Sequence, residues 1–449
     1  MSIDDNKFIF FGCWNNINCD KENSINYRDI VLDKIKENEK DASFIIVAGD
    51  NWYTNKKVAT ENEYYYYTNV LSTGYKKLKE IDKETHIILG NHDEDSEDIT
   101  KDITKDITNY DKIKNILNKE NCMLNTQKYY IDELNNIDIN TIVDYDTLKK
   151  TILTPTIEKL YILYQKTKIQ SLPTNLKTRS LPTKLVTRSS PINFEKNKLI
   201  LHESRKNPEY IKKNNFNLIF LNTNDNNSLL NNTEYKNYLK ELTKIIKDIF
   251  NKNPIFVIGH IPLISIVKNK NKEGKKYTIK TEYDRQSHIF IELYNILNEN
   301  NCIYLCADTH NFQIGTIGNL LSIVSGTGGA DPDILDEQKY NEKIKINDKD
   351  YEYNCHLYNS YGYTSIEKIE NKYKIIYNKI INASDDDNVH KQFIFNIEYN
   401  NKKWEINNID LEKYKTKEIC DNNDKTNIVL SKNKEIPCFK KIKKIKVKS

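Results

Sequence analysis

Six apolar runs of strand length recur along the chain, and a polar cluster closes each of them. They read KFIFFG from residue 7, SFIIVAG from 43, THIILG from 85, NLIFLNT from 217, PIFVIG from 254 and CIYLCA from 302. Continuous apolar runs are typical of strands that are buried on both faces. The pattern therefore predicts the central strands of a layered α/β protein.

Segments with helical periodicity separate most of these runs. YRDIVLDKIKENEK begins at residue 27, EYKNYLKELTKIIKDIF at 234 and HIFIELYNILNENN at 288. Each has apolar residues at spacings of three and four, which predicts a helix with one buried face. Strands that alternate with such helices indicate an α/β fold class.

The stretch 96–214 breaks this rhythm. It contains the near-tandem DITKDITKDITNY at 98–110 and the repeat SLPTNLKTR, SLPTKLVTR at 171–188. Short polar repeats with proline are typical of extended or mobile surface segments. We therefore predict a discontinuous core at 1–95 and 215–385, with an insertion at 96–214 that has helical pieces around 109–118 and 145–166. Residues 386–449 are predicted as an extension, in which the alternating KQFIFNIEYNNKKWEINNI is typical of a β-hairpin.

Composition narrows the class of protein. No stretch reaches the roughly 18 apolar residues of a membrane span, and the N-terminus lacks the basic segment of a signal peptide. The eight cysteines form no regular framework, which favours an intracellular, reducing compartment. The abundance of Lys, Asn, Ile and Tyr suggests AT-rich coding, as in a protist or a large DNA virus. The net charge of +4 demands no acidic partner, and the basic tail CFKKIKKIKVKS is either a contact for nucleic acid or anionic lipid or a solvated terminus.

Four of the six strand ends carry groups that can perform chemistry. The motifs are GDNWY with Asp50, GNHDE with Asn91, His92 and Asp93, GHIP with His260, and ADTHN with Asp308 and His310. A histidine after one strand is ordinarily a capping or packing residue, and GDNWY alone is compatible with an Asx turn. Four such ends in succession predict a shared site at the carboxyl edge of a sheet.

The order of these motifs resembles that of the calcineurin-like metallophosphoesterases, and GDNWY with GNHD is most similar to the purple acid phosphatases. The resemblance spans residues 8–311, and SIVSGTGGADPD at 322–333 resembles the glycine-rich strand end that follows in this family. It implies a layered α/β/β/α sandwich of two mixed sheets flanked by helices. It also implies metal-dependent hydrolysis of a phosphorylated small molecule or macromolecule.

The resemblance implies two metal positions that share Asp50. One ion would bind Asp50, Asn91, His260 and Asp308, and the other would bind Asp50, Tyr53, His310 and Cys13. One or two Zn, Mn or Fe ions would neutralise phosphate charge and lower the pKa of a bound water. His92 would donate to a phosphate oxygen or protonate the leaving group, and Asp93 beside it is predicted as a second catalytic residue.

Two residues depart from the family pattern. Asp308 replaces a histidine, and a carboxylate is a good ligand for the same metals. Cys13 replaces an aspartate. It is either a thiolate ligand for Zn or Fe or a small buried apolar residue at a dead site, and Asn15 and Asn16 are alternative oxygen donors in the same turn. Tyr53 is either a phenolate ligand, which would favour ferric iron, or a packing residue.

Three functions therefore stay open. The first is a metal-dependent phosphoester hydrolase, and the second is a pseudophosphatase that serves as a binding or structural module. The third is a nuclease of the same superfamily, which would need a basic groove and stacking aromatic residues. The YYYY run at 64–67 is predicted to lie on several faces of a helix, so it does not supply such a pattern.

Overall fold

The computed structural model describes residues 6–16, 26–51, 53, 73–94, 127, 131, 135, 198–204, 206–224, 232–249, 254–268, 277–281, 289–333, 335, 337–346, 348–382, 391–400 and 403–410. Among these residues no helix combines the length and the apolarity that a membrane span needs. The predicted helical pieces around 109–118 and 145–166, the YYYY run and the basic tail lie outside the described residues.

Strands dominate the described part of the chain. They are β1 (Lys7–Phe11), β2 (Phe44–Ala48), β3 (Glu84–Ile88), β4 (Leu199–His202), β5 (Glu209–Lys213), β6 (Phe216–Phe220), β7 (Ile255–Ile258), β8 (Ile264–Lys268), β9 (Tyr277–Thr281), β10 (Ile303–Cys306), β11 (Phe312–Ile317), β12 (Leu320–Ser325), β13 (Gln338–Ile346), β14 (Lys349–Tyr358), β15 (Ser360–Ile369), β16 (Lys372–Asn382), β17 (Lys391–Asn400) and β18 (Lys403–Asp410). The helices are α1 (Tyr27–Asn38), the short α2 (Asn91–Glu94), α3 (Asn232–Ile249) and α4 (Ile289–Glu299), and residues 73–79 are also helical.

Two eight-stranded mixed sheets form the centre of the fold. The first has the order β18-β17-β16-β15-β1-β2-β3-β4 and the second the order β13-β14-β11-β12-β10-β7-β6-β5. In the first sheet β1 to β4 run parallel, and in the second β6, β7, β10 and β12 run parallel. The carboxyl ends of the parallel strands are therefore the places where loops can build a site.

The alternation of side chains along β1 explains the layering. Phe8 and Phe10 lie in the cluster between the sheets, whereas Ile9 and Phe11 lie in the cluster that α1 covers. On the second sheet, α3 and α4 pack over the outer face through a separate cluster. Because both faces of the central strands are buried, their sequences are continuously apolar.

The fold class predicted from the sequence is confirmed: the architecture is an α/β/β/α sandwich of two mixed sheets. All six apolar runs form strands, and the three periodic segments form α1, α3 and α4. The division into core, insertion and extension stays a prediction. Within the range assigned to the insertion, β4 and β5 lie at the edges of the two sheets, and β17 pairs antiparallel with β18 in the C-terminal range.

Candidate metal centre

The loops after β1, β2, β3, β7 and β10 meet at one end of the sandwich. Their backbones contact each other directly: the N–H of Cys13 donates to Gly49 O at 3.1 Å. From the second sheet, the His260 side chain reaches the carbonyl of Ala48 at 2.7 Å. The strand ends that carry the predicted motifs therefore share one small region.

Asp50 lies at the middle of this region and is 1% exposed. Its Oδ1 is 3.2 Å from His260 Nε2, and its Oδ2 is 2.9 Å from the Tyr53 hydroxyl and 3.6 Å from Cys13 Sγ. Burial disfavours the charge, but His260 outweighs it and holds the pKa of Asp50 below the usual range. The two oxygens of one carboxylate thus face two different groups of donors.

The first group surrounds His260. Its Nδ1 contacts a backbone carbonyl, which can only accept, so Nδ1 carries a hydrogen, and Nε2 is the nitrogen that faces the neighbouring oxygens. That nitrogen is 3.0 Å from Asn91 Oδ1 and 3.9 Å from Asp308 Oδ1. Burial lowers the pKa of His260, yet Asp50 and Asp308 raise it overall to about 9. Acceptor atoms that crowd one point require a cation there, and either a proton or a metal ion satisfies them.

The second group consists of Cys13, Asp50 and His310, whose ligand atoms all lie within 4.8 Å of one another. His310 Nδ1 donates to the carbonyl of Asp331 at 2.7 Å, so its Nε2 is the nitrogen that faces the group, 3.3 Å from the Tyr53 hydroxyl. Burial and then the charge of Asp50 raise the pKa values of both the Cys13 thiol and the Tyr53 phenol well above their usual range. Without a nearby cation both groups keep their protons.

The donor sets fit transition metals. Imidazole nitrogen, carboxylate oxygen and a cysteine thiolate are ligand types that Zn and Fe accept, and Cys13 would have to lose its proton to a nearby cation to serve as one. His260 Nε2 lies among the acceptor oxygens of Asp50 and Asn91, which either a proton on that nitrogen or a bound cation satisfies. His310 Nε2 faces the Tyr53 hydroxyl, which can donate to it when no cation is bound. The outer nitrogen of each ring is held by a backbone carbonyl, as is usual for metal-binding histidines.

The backbone is unusual at three of the proposed ligands. Cys13, Asp50 and Asp308 adopt φ values of 49°, 52° and 48°, in the left-handed region that non-glycine residues seldom occupy. Such conformations cost of the order of 1–3 kcal/mol each and cluster at functional sites. Gly90 is required by close approach, because a Cβ there would lie 2.3 Å from Asp50 Oδ1.

His92 and Asp93 lie on different sides of the short helix α2. The N–H of His92 donates to Asp50 Oδ1 at 3.2 Å, and its half-buried ring lies 4.8 Å from that of Tyr53. Asp93 is buried, and its carboxylate accepts from Gly90 N at 2.7 Å, from Asn51 N at 3.0 Å and from Gln127 Nε2 at 2.9 Å. Burial and the charge of Asp50 raise the pKa of Asp93 to about 7. His92 therefore borders the space around Asp50 and Tyr53, whereas the Asp93 carboxylate is fully engaged by backbone and side-chain donors of the surrounding loops.

A comparison with known protein families found a similarity over the N-terminal part of the chain. Residues 7–221 match the family model described as calcineurin-like phosphoesterase. This segment, slightly less than half of the chain, is similar to that family. In general this family implies metal-dependent phosphoester hydrolysis. The matched segment includes Cys13, Asp50 and Asn91, and His260 and His310 follow it along the chain.

Two solved structures are similar to this chain at low identity. One is titled "GAP50 the anchor in the inner membrane complex of Plasmodium"; it is 12% identical, with 86% of this chain and 87% of that chain covered and a TM-score of 0.38. The other is titled "Structure of PhoD"; it is 10% identical, with 89% and 71% covered and a TM-score of 0.43. At these scores neither likeness carries an argument. No curated protein matches the chain.

Several buried polar residues around the site were not among the sequence-based candidates. Asn51 donates its Nδ2 to Asp93 Oδ2 at 3.0 Å, and Thr223 accepts from the backbone of His260. Asn15, predicted as an alternative oxygen donor, has its Oδ1 bonded to Arg28 Nη1 at 2.7 Å. The signal that could have revealed Thr223 is the polar pair Thr223–Asn224, which ends the NLIFLNT run just as the other motifs end theirs.

Proposed function

We propose that the protein is a metal-dependent phosphoester hydrolase with two adjacent metal positions. The observation that carries this proposal is the convergence of His260 Nε2 and His310 Nε2 on either side of the buried Asp50 carboxylate, with Cys13 Sγ beside it. Such a set of ligand atoms suits metal ions. The family match supports the reaction class.

The ligands divide between the two positions. Asp50, Asn91, His260 and Asp308 would hold one ion, and Asp50, Tyr53, His310 and Cys13 the other. When bound, Zn, Mn or Fe would neutralise phosphate charge and lower the pKa of a coordinated water. The likeness of the GDNWY motif to purple acid phosphatases supports Tyr53 as a ligand, although its hydroxyl also reaches Asp50 Oδ2 at 2.9 Å as a neutral donor.

His92 is the residue best placed to contact the substrate. Its backbone is fixed to Asp50 Oδ1, and its half-buried ring borders the group around Tyr53. An imidazole there would donate a hydrogen bond to a phosphoryl oxygen or protonate the leaving group. Asp93 would act through the loops, since its carboxylate joins the N–H groups of Gly90 and Asn51, which flank Asp50 and Asn91.

Cys13 favours a second candidate function, a pseudophosphatase that binds without turnover. Its thiol is fully buried, and the carboxylates around it oppose ionisation. If the thiol stayed neutral in the presence of metal, the second position would lack one charged ligand. Metal stoichiometry separates the two functions, because the hydrolase requires a loaded centre.

The test is reconstitution of the full chain with Zn²⁺, Mn²⁺ or Fe, followed by elemental analysis and hydrolysis of a chromogenic phosphomonoester and phosphodiester. The wild type should bind at least one ion per chain and turn over, Asp50→Asn should lose both properties, and His92→Ala should keep the metal but lose turnover. His356→Ala, on β14 at the other end of the second sheet, is the matched histidine control. Full metal content with no hydrolysis of either substrate would favour the pseudophosphatase, and less than half an equivalent of metal would exclude the hydrolase.

A further inference from the structure

The end of β6 carries a buried polar segment that supplies none of the proposed metal ligands. Residues Asn222, Thr223 and Asn224 are each at most 7% exposed. In the second sheet β6 lies beside β7, at whose end His260 stands. The segment therefore lies next to one of the two groups of proposed ligands.

Thr223 holds the backbone of His260. Its Oγ1 accepts from the N–H of His260 at 2.9 Å and from the N–H of Ile261 at 3.0 Å. Two backbone donors on one hydroxyl oxygen fix both the position and the direction of the loop. The Nδ1 atom of the same histidine is fixed at Ala48 O, so the ring is held from the opposite sheet as well.

Asn224 holds the loop that carries Asn91. Its Nδ2 donates to the carbonyl of Leu89 at 3.2 Å, and its own N–H donates to Asn222 Oδ1 at 3.1 Å. The amide orientation is determined, because a carbonyl such as Leu89 O accepts only from the NH₂ side. Leu89 follows β3 in the first sheet and directly precedes the Gly90–Asn91 turn, so this bond crosses between the sheets.

We infer that Thr223 and Asn224 are positioning residues that hold His260 and Asn91 at the separation one metal ion requires. The two ligands come from different sheets, and their ligand atoms lie 3.0 Å apart. Neighbouring residues of one segment fasten each of them, Thr223 on the His260 side and Asn224 on the Asn91 side. This inference rests on the metal centre proposed above.

The physical reason for a large effect is that these bonds are buried. Removal of the Thr223 hydroxyl leaves the N–H groups of His260 and Ile261 unpaired away from water, and the loop would move to satisfy them. Residues that orient metal ligands typically change affinity by 10–100-fold when they are mutated. We expect an effect of that size on the ion bound by His260 and Asn91, and little effect on the ion bound by His310.

The experiment compares Thr223→Val with Thr223→Ser in the full-length protein, with Zn²⁺ as the probe and a competing chelator to set the free concentration. Thr223→Val should lower the affinity for one zinc ion about 10–100-fold. Thr223→Ser, which keeps Oγ1, should bind zinc with an affinity within a few-fold of the wild type. Thr316→Val, on β11, is the matched control. Thermal unfolding of the metal-free proteins shows whether the change lies in affinity or only in stability.

A second variant tests the other side of the segment if Thr223→Val does not fold. Asn224→Asp keeps the size of the side chain but places a carboxylate oxygen against Leu89 O. This variant should lower the affinity for the same zinc ion. Wild-type zinc affinity in Thr223→Val would overturn the inference, and so would wild-type affinity in Asn224→Asp if Thr223→Val is unfolded. The inference would also fail if Thr223→Ser did not bind zinc as the wild type does. A wild-type protein that binds no zinc, manganese or iron would overturn the proposed metal centre itself.

Discussion

The thiol sulfur of Cys13 lies 3.6 Å from Oδ2 of Asp50. This contact places a soft ligand beside the carboxylate that faces both groups of donors. A thiolate binds Zn or Fe well and binds Mn or Mg poorly, since the latter prefer oxygen. The residue at position 13 should therefore decide which metals the second position accepts.

The first prediction concerns this sulfur. Co²⁺ added to the metal-free wild type should produce a sulfur-to-metal charge-transfer absorption in the near ultraviolet, and Cys13→Ala should abolish it. Cys13→Asp should also lack the band, but it should bind Mn²⁺ more tightly than the wild type because it offers an oxygen ligand. The measurement is absorption titration together with elemental analysis.

Cys302→Ala is the control for the loss of a buried thiol, because Cys302 is fully buried directly before β10. It should keep the band at wild-type intensity. Retention of the band in Cys13→Ala would show that the sulfur ligand is another cysteine and that Cys13 is a packing residue.

The second prediction separates His92 from Asp93, two neighbours in one helical turn. His92→Asn should lower turnover by about 10²–10⁴-fold with unchanged metal content, because general acid catalysis contributes that range. Asp93→Asn should lower metal binding as well as turnover, since it places an NH₂ group against buried N–H donors such as Gly90 N. Steady-state rates and metal content of both variants check this, and equal metal loss in the two would contradict it.

The positions of these neighbours also show where sequence reasoning ends. Successive residues of a helix differ in direction by about 100°, so the motif GNHDE alone does not say which side chain borders the ligands. The structure turns His92 towards Tyr53 and Asp93 towards Gln127. Gln127 is distant in sequence, and no local pattern indicates its contact.

The strands also differ in how well the sequence alone predicts them. The central β1 and β7 could be predicted because burial on both faces demands a continuous apolar run, as in KFIFF and IFVI. The edge strand β5, EYIKK, has no buried residue, so its sequence carries no such signal. Its place in the second sheet comes from pairing with β6, a tertiary constraint that overrides local preference.

The convergence of Asp50 and His260 could be predicted for a related reason. Asp50 and His260 each follow an apolar strand, and parallel strands bring their carboxyl ends to one edge. Thr223 also follows an apolar strand, but that position does not reveal its contribution, which is to accept from the backbone N–H of His260 in the loop after a neighbouring strand. That pairing depends on strand order, which composition and spacing leave open.

The third prediction uses Gly90. A Cβ at this position would lie 2.2 Å from the N atom of Asp50, a distance that forces the two loops apart. Gly90→Ala should lower metal affinity and destabilise the fold by about 1–3 kcal/mol, as overpacking does. The measurements are zinc titration and urea unfolding.

Gly315→Ala is the matched control for Gly90, since a Cβ there would lie 2.5 Å from Asn354 O on β14. It should lower stability by a similar amount and leave zinc affinity at the wild-type value. An equal loss of zinc affinity in both variants would mean that Gly90 acts through global stability alone.

The last prediction concerns pH and a cluster away from the centre. Glu84 on β3 contacts His86 Nε2 at 2.9 Å and Lys213 Nζ at 2.8 Å. The bond with His86, and then the one with Lys213, lower the pKa of Glu84 to about 2 in spite of partial burial. The unfolded chain has a glutamate pKa of about 4.3, so the folded state binds fewer protons between these values. The stabilisation by Glu84 is therefore complete above about pH 5 and is lost as the pH falls towards 2.

Glu84→Gln should consequently lower the free energy of unfolding at pH 7, and its difference from the wild type should shrink steadily as the pH falls from about 5 to about 3, through the range in which the unfolded glutamate titrates. Urea unfolding at fixed ionic strength measures this difference at each pH. Glu342→Gln, at an exposed position of β13, controls for the loss of one surface carboxylate. A difference that stays constant over the whole range would show that the Glu84 contacts act through packing and not through charge, because packing does not respond to protonation of the carboxylate.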